Sequence, residues 1–488
     1  MPASSQPRSP VAIALVTALA SFTIVLDTTI VNVALHSLAR EFDAPLTTIQ
    51  WVTSGYVLAL ASVIPAAPWA MARFGAKRVY LAAIALFVLG SALAGLAWDA
   101  PSLIAFRALQ GLGGGLITPV GMSLVLRAAA AGGGRQGMLM SISGLSILVA
   151  PTLGPVFGGW LVDEVSWRWM FLVNVPVGAL AVALAARVIP ADSPTPGRRL
   201  DVPGLLLLSP GFAALIYGLT RANESAGGFA SVDAWLPLAV GVGLVLGFLR
   251  RALTVSAPLL DLRLLRHRPL ALGLLGLLPF VMGYFGSMLL TPMFFQRVRG
   301  DSVLESGLLT IQLGLAAGLT MQLAGRLVDR VAVRWIVLPG MLTAAAGLGW
   351  FALALGPGIA EWQVRLSLTV LGVGVGMTMM PSITAATRSV AAPDVPAAAT
   401  LVNIGSQLAS AVGSALMAVL LAGNLAGAEG DPAALADGFR RTYLWAVALI
   451  LLAAVPAALL SRRPPARPDA GRAAVRSEEA RGPASQIR

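Results

Sequence analysis

The chain is 488 residues long, 57% hydrophobic and only 11% charged, with a mean hydropathy of +0.82 and a formal net charge of +12. That balance excludes an ordinary soluble domain, and repeated apolar runs of about 20 residues describe a polytopic helical membrane protein. The basic charge sits in short loops, so no nucleic-acid partner is implied. The lack of cysteine excludes disulfides and thiol chemistry, and His36 and His267, far apart, offer no metal site.

Residues 1–10 form a short polar tail. The apolar run behind it contains Asp27 and ends without a small-residue cleavage site, so it reads as a retained first span rather than a signal peptide. Fourteen apolar segments follow between residues 11 and 461. With residue 1 cytoplasmic, 25 of the 34 Lys and Arg residues fall in inside loops and tails and 8 in outside loops. This asymmetry supports both the count and the orientation. The expected architecture is all-α: an N-terminal half of six helices over 11–189, a linker with two inserted helices over 190–268, and a second six-helix half over 269–461. Residues 462–488, rich in Pro, Ala and Arg, read as a disordered cytoplasmic tail. Asn223-Glu224-Ser225 fits a glycosylation sequon that has meaning only in a eukaryotic host.

Within the fifth segment, Gly144 to Trp160 reads GLSILVAPTLGPVFGGW. At about 100° per residue, Gly144, Pro151, Pro155 and Gly158 share one narrow sector, a stripe nearly free of side chains that another helix can approach closely. An internal repeat is also visible. MARFGAKR after the second helix is answered by GRLVDRVAVR after the tenth, and GLGGG at 111–115 by GVGVG at 372–376. Two related six-helix halves are the arrangement in which substrate binds near the midplane between them.

Together these features resemble the fourteen-helix drug:proton antiporter family of the major facilitator superfamily. The resemblance rests on LDTTIVNVAL at 26–35, RALQGLGGG at 107–115, APTLGPVFGG at 150–159, WRWMFLVNVPVG at 167–178 and LLDLRLLRHR at 259–268. It implies the major facilitator fold and export in exchange for protons. It also implies an antiporter motif carried by Gly144, Pro151, Gly154, Pro155, Gly158 and Gly159, a helix expected to pack against the other half and prevent leak. A cytoplasmic gate is implied at Arg73, Gly75, Lys77 and Arg78 and, in the second copy, at Gly325, Asp329 and Arg330. The first copy departs from the family pattern: Ala72 stands where an aspartate is usual, so the gate is expected to depend on the second copy.

Ionisable groups inside a bilayer are costly, on the order of 3 kcal/mol each, so each asks for a reason. Two lie well within spans. Asp27 sits roughly 12 Å below the outer end of the first helix, and Arg107 roughly 8 Å below that of the fourth, at 1.5 Å per residue. At similar depths they are placed to share a network. Burial favours a neutral acid and a nearby guanidinium favours the carboxylate, so such a pair can switch a proton. Asp27 is the expected proton carrier and Arg107 the fixed charge that tunes it; a static ion pair joining helices 1 and 4 is the alternative. Asn32, Gln110, Tyr284, Met288, Gln312, Asn403 and Gln407 are the expected substrate lining, suited to amphipathic cationic or neutral molecules. No ATP motif and no catalytic constellation is present, so the expectation is a transporter, not an enzyme, with no cofactor and driven by a proton gradient. It is read as a monomer in the bacterial inner membrane with both termini cytoplasmic, a periplasmic adaptor being left open. A proton-coupled uptake symporter and a non-transporting scaffold or sensor remain as rivals.

Overall fold

The computed structural model describes residues 9–131, 136–192, 200–224, 230–255, 258–260, 262–301, 303–388, 390–391, 394–425 and 431–460. The 462–488 tail and Ser225 of the sequon lie outside the described residues, as do the side chains of Asn32, Pro151 and Pro155. The described chain is helical throughout, with no strand. Its spans are α1 (Pro10–Glu41), α2 (Leu46–Val63, continuing through a 3-10 turn to Ala67–Phe74), α3 (Ala76–Gly95), α4 (Ala100–Ala131), α5 (Gln136–Glu164) and α6 (Trp169–Leu172 with Asn174–Val188). The inserted pair is α7 (Val202–Glu224) and α8 (Val232–Thr254). The rest are α9 (Arg268–Phe294), α10 (Ile311–Leu327), α11 (Arg334–Ala354), α12 (Glu361–Arg388), α13 (Val395–Leu425) and α14 (Pro432–Ala458). Thirteen of these are long and apolar enough to cross a membrane on the described residues; α5, 29 residues long, completes fourteen.

Prolines explain where the expected helices break. Pro65 lies in the 3-10 turn within α2, and Pro176 opens the second part of α6 just after the break at Val173. A proline supplies no N–H and crowds the carbonyl four residues back, which loosens the turn there.

The repeat read from the glycines is visible in the packing. A Cβ on Gly113 of α4 would lie 2.5 Å from the Phe87 nitrogen of α3, while Gly111 and Gly115 face the backbone of α2. Gly374 of α12 meets α11 at Ala344, and Gly372 and Gly376 face the backbone of α10 at Leu313 and Ala317. Each half thus holds one glycine-faced helix pressed between two neighbours, a contact only small residues allow. The inserted helix α7 shares an apolar cluster with both halves: Phe212 and Ile216 gather with Ala61 and Ile64 of α2 and with Ile404 of α13. A second cluster, including Ile30, Val31, Ala34 and Leu38 of α1 with Val52, Leu103, Trp167 and Phe171, fills the N-terminal half beyond Asp27 toward the end of α1.

Candidate proton site

Asp27 and Arg107 meet. Arg107 Nη1 donates to Asp27 Oδ2 at 2.5 Å, and both side chains are wholly buried. Two amides complete a cage: Gln110 Nε2 and Asn174 Nδ2 both donate to Asp27 Oδ1, at 2.9 and 2.7 Å. The carboxylate therefore accepts three N–H bonds, from α4 and α6, and offers nothing in return.

The arrangement follows from local structure. Arg107 and Gln110 are three residues apart, so they share a face of α4. Gly90 lets α3 approach that face, since a Cβ there would lie 2.6 Å from the Gln110 Cα. Arg107 is held independently of the acid: Nη1 also donates to Gln110 Oε1 at 2.7 Å and Nε to the Val52 carbonyl at 3.2 Å. Its guanidinium lies 4.1 Å from the Tyr56 ring centroid and 5.5 Å from that of Phe171. Such stacking suits a planar cation withdrawn from water. Nη2 has no hydrogen-bond partner among the described residues.

The fifth-helix motif holds α1 beside this cage. A Cβ on Gly154 would run into Thr29, and one on Gly158 would lie 3.1 Å from the Ile30 Cα. Only Gly144 of the motif glycines faces the other half, where a Cβ would sit 2.5 Å from Met380 Cε of α12; Gly159 meets nothing within 4 Å. The helix thus serves two neighbours: Gly144 faces α12 of the other half, against which α5 also packs through α10, while Gly154 and Gly158 admit α1 of its own half.

At the far end of the bundle, the second-copy loop reaches the first residues of α5. Asp329 Oδ1 and Oδ2 accept from the Gly137 and Met138 N–H groups at 3.0 and 3.3 Å, a carboxylate on a helix N-terminus. Gly325 crosses at Gly137, where a Cβ would lie 2.6 Å from the Gly137 carbonyl oxygen. Gln322 Nε2 donates to the Ser141 carbonyl and Gln136 Nε2 to Thr387 Oγ1. Arg330, Arg73 and Arg78 are exposed. The first-copy loop is held from within its own half. Its Gly75 adopts φ +86°, and Asp192, from the strand of chain after α6, accepts from the Ala76 and Lys77 N–H groups at 2.6 and 3.2 Å. Lys77 Nζ donates to the Ala186 carbonyl.

Of the expected substrate lining, Gln110, Tyr284 and Gln312 have contacts of their own. Gln110 belongs to the acid's cage. Tyr284, 2% exposed, packs in the core of the C-terminal half beside Phe280 and Phe285. Gln312 donates to the Leu309 carbonyl of its own turn, while Met288, Asn403 and Gln407 are half-buried on α9 and α13. The sequence reading missed Asn174 and its neighbour Ser91; an asparagine two residues before Pro176, at a helix break, was the available signal.

Comparison with known proteins bears on what such a bundle is. A model of the Major Facilitator Superfamily matches residues 17–414 and 300–485. The chain belongs to the major facilitator superfamily. Among relatives in this superfamily, the multidrug resistance protein B homolog of Mycobacterium tuberculosis is 38% identical over 409 residues, covering 83% of this chain and 74% of the relative. The puromycin resistance protein pur8 of Streptomyces alboniger is 32% identical, covering 93% and 92%. The lincomycin resistance protein LmrB of Bacillus subtilis is 29% identical, covering 91% and 94%. The solved proton:xylose symporter XylE superposes with a TM-score of 0.62 at 18% identity, over 92% of this chain and 94% of that one, which establishes the shared fold. The chain is accordingly a multi-pass membrane transporter of this superfamily and not an enzyme.

Proposed function

We propose that this transporter exports amphipathic cationic or neutral molecules, drugs or related metabolites, in exchange for protons. The observation that carries the reading is Asp27: a wholly buried carboxylate whose two oxygens accept three N–H groups. All three donors suit the ionised acid. A protonated Asp27 must place its own O–H, and the atoms now facing it are donors. Loading a proton therefore requires the cage around α1, α4 and α6 to rearrange, which links protonation to conformation. A cation competes with the proton for the same carboxylate, and exchange follows from that competition.

The names of the relatives support a drug-like substrate, and the basic-residue asymmetry supports cytoplasmic termini. In that orientation Asp329 on the α5 N-terminus is a cytoplasmic latch, and the described state is the one fastened on the inside. Alternating access then swings the halves about the midplane, driven by the proton gradient with no cofactor. The protein acts as a monomer in the bacterial inner membrane.

Everted vesicles test the reading. With an acidified lumen, vesicles carrying the parent should accumulate a lipophilic cation, and vesicles carrying Asp27→Asn should not. Accumulation that is indifferent to the proton gradient, or unchanged in Asp27→Asn, would refute it; loss of cation from everted vesicles on acidification would indicate uptake instead.

A further inference from the structure

The cage contains a group whose bonds continue past the acid. Asn174, 1% exposed, stands directly after the break in α6. Its Nδ2 donates to Asp27 Oδ1 at 2.7 Å and also to Ser91 Oγ of α3 at 3.1 Å. Ser91, wholly buried, donates in turn to the Phe171 carbonyl at 2.9 Å, on the short first part of α6. One chain of hydrogen bonds thus runs from the carboxylate through both sides of the α6 break, and the Phe171 ring at its end lies under the Arg107 guanidinium.

An amide can present either its nitrogen or its oxygen. A carboxylate only accepts, so the atom now facing Asp27 is nitrogen. Once Asp27 is protonated, its O–H needs an acceptor, and a half-turn of the Asn174 amide supplies Oδ1 in the same place. Ser91 then faces an acceptor too. Turning its O–H toward Oδ1 releases the Phe171 carbonyl, and a buried carbonyl without a donor favours movement of its segment.

We propose that Asn174 is a positioning residue that passes the charge state of Asp27 to the break in α6 through Ser91. The proposal rests on Asp27 being the proton carrier. The other titratable or charged groups facing Asp27 are Arg107 on α4 and Tyr56 on α2; α5 between Gln136 and Val162 and α6 between Trp169 and Ala186 contain none.

The test uses purified full-length protein reconstituted in liposomes, with tetraphenylphosphonium as the transported cation. Asn174→Leu removes one donor from the ionised form, so the pH midpoint of transport should rise by about one pH unit. Ser91→Ala should keep the midpoint but abolish the pH dependence of amide exchange over 169–176 seen in the parent. Asn174→Gln, which restores an amide, should return the midpoint toward that of the parent, and where Asn174→Leu fails to fold the amide exchange of Ser91→Ala decides. A parent midpoint in Asn174→Leu, or amide exchange in Ser91→Ala that follows pH as in the parent, overturns the proposal. If Asp27→Asn itself keeps pH-dependent transport, the proton-carrier reading fails first, and that result is separate.

Discussion

Asp27 and Arg107 allow a quantitative test through a double-mutant cycle. Among the described residues the guanidinium finds its only buried counter-charge in Asp27; its other partners are Gln110 Oε1, the Val52 carbonyl and two aromatic rings. Removing one member of a buried ion pair leaves an uncompensated charge and costs about 3–5 kcal/mol, whereas removing both is close to neutral. Asp27→Asn and Arg107→Leu should each fall in that range. Leucine is the natural replacement, because Leu368, 1% exposed, occupies the matching position on α12 when Gly113 is set over Gly374. The double variant should recover stability to within about 1 kcal/mol of the parent, giving a coupling of roughly 5 kcal/mol or more. Reversible unfolding in mixed dodecyl maltoside–SDS micelles reads these values, and cation transport is lost in all three variants. Single variants as stable as the parent, or a double variant whose cost equals the sum of the two, would refute the cage as described.

Asp329→Ala removes the carboxylate from the α5 N-terminus, an interaction worth about 1 kcal/mol. It should shift the population roughly fivefold toward a state open at that end, read as longer spin-label distances between positions 78 and 330; unchanged distances would contradict the latch. Gly158→Ala should push α1 away at Ile30 and cost about 1–3 kcal/mol. Gly159→Ala, with open space around it, should be silent in the same unfolding assay. Asp99, just before α4, has its carboxyl held below the ordinary range, first by the Ser102 hydroxyl and then by the Ser102 N–H. A depressed value means a contribution present at neutral pH and lost as pH falls through that lowered value. Ser102→Ala removes the hydroxyl and keeps the N–H, so it should move the Asp99 titration only part of the way back to the usual range, as followed by amide exchange in the first turn of α4.

What the sequence reveals here depends on how rare a residue is in lipid. Asp27 and Arg107 are legible because a charge deep in a span needs a partner, and the structure pairs them. The two halves are legible because Gly111, Gly113 and Gly115 repeat as Gly372, Gly374 and Gly376, and close backbone contact admits little else. Asn174 and Ser91 escape notice because small neutral polar residues are common in membrane helices and show no period. Gln110 was read as substrate lining, although its place one turn from Arg107 favours the cage. The part of Gly154 and Gly158 in seating α1 was not legible, because helical periodicity gives a face without saying what covers it. Ala72 announced a missing acid, but Asp192 lies in irregular chain beyond α6, where no pattern connects it to the loop it serves.

Asp192 also bears on how the two additional helices travel. By gripping the start of α3, with Arg127 of α4 at 3.4 Å, it ties the chain leading into α7 to the N-terminal half. The hairpin of α7 and α8 is thus anchored on the N-terminal side while α7 also lies along α13 of the other half, near Ile404. Any tilt of one half against the other must therefore shear that greasy seam or carry the hairpin with it.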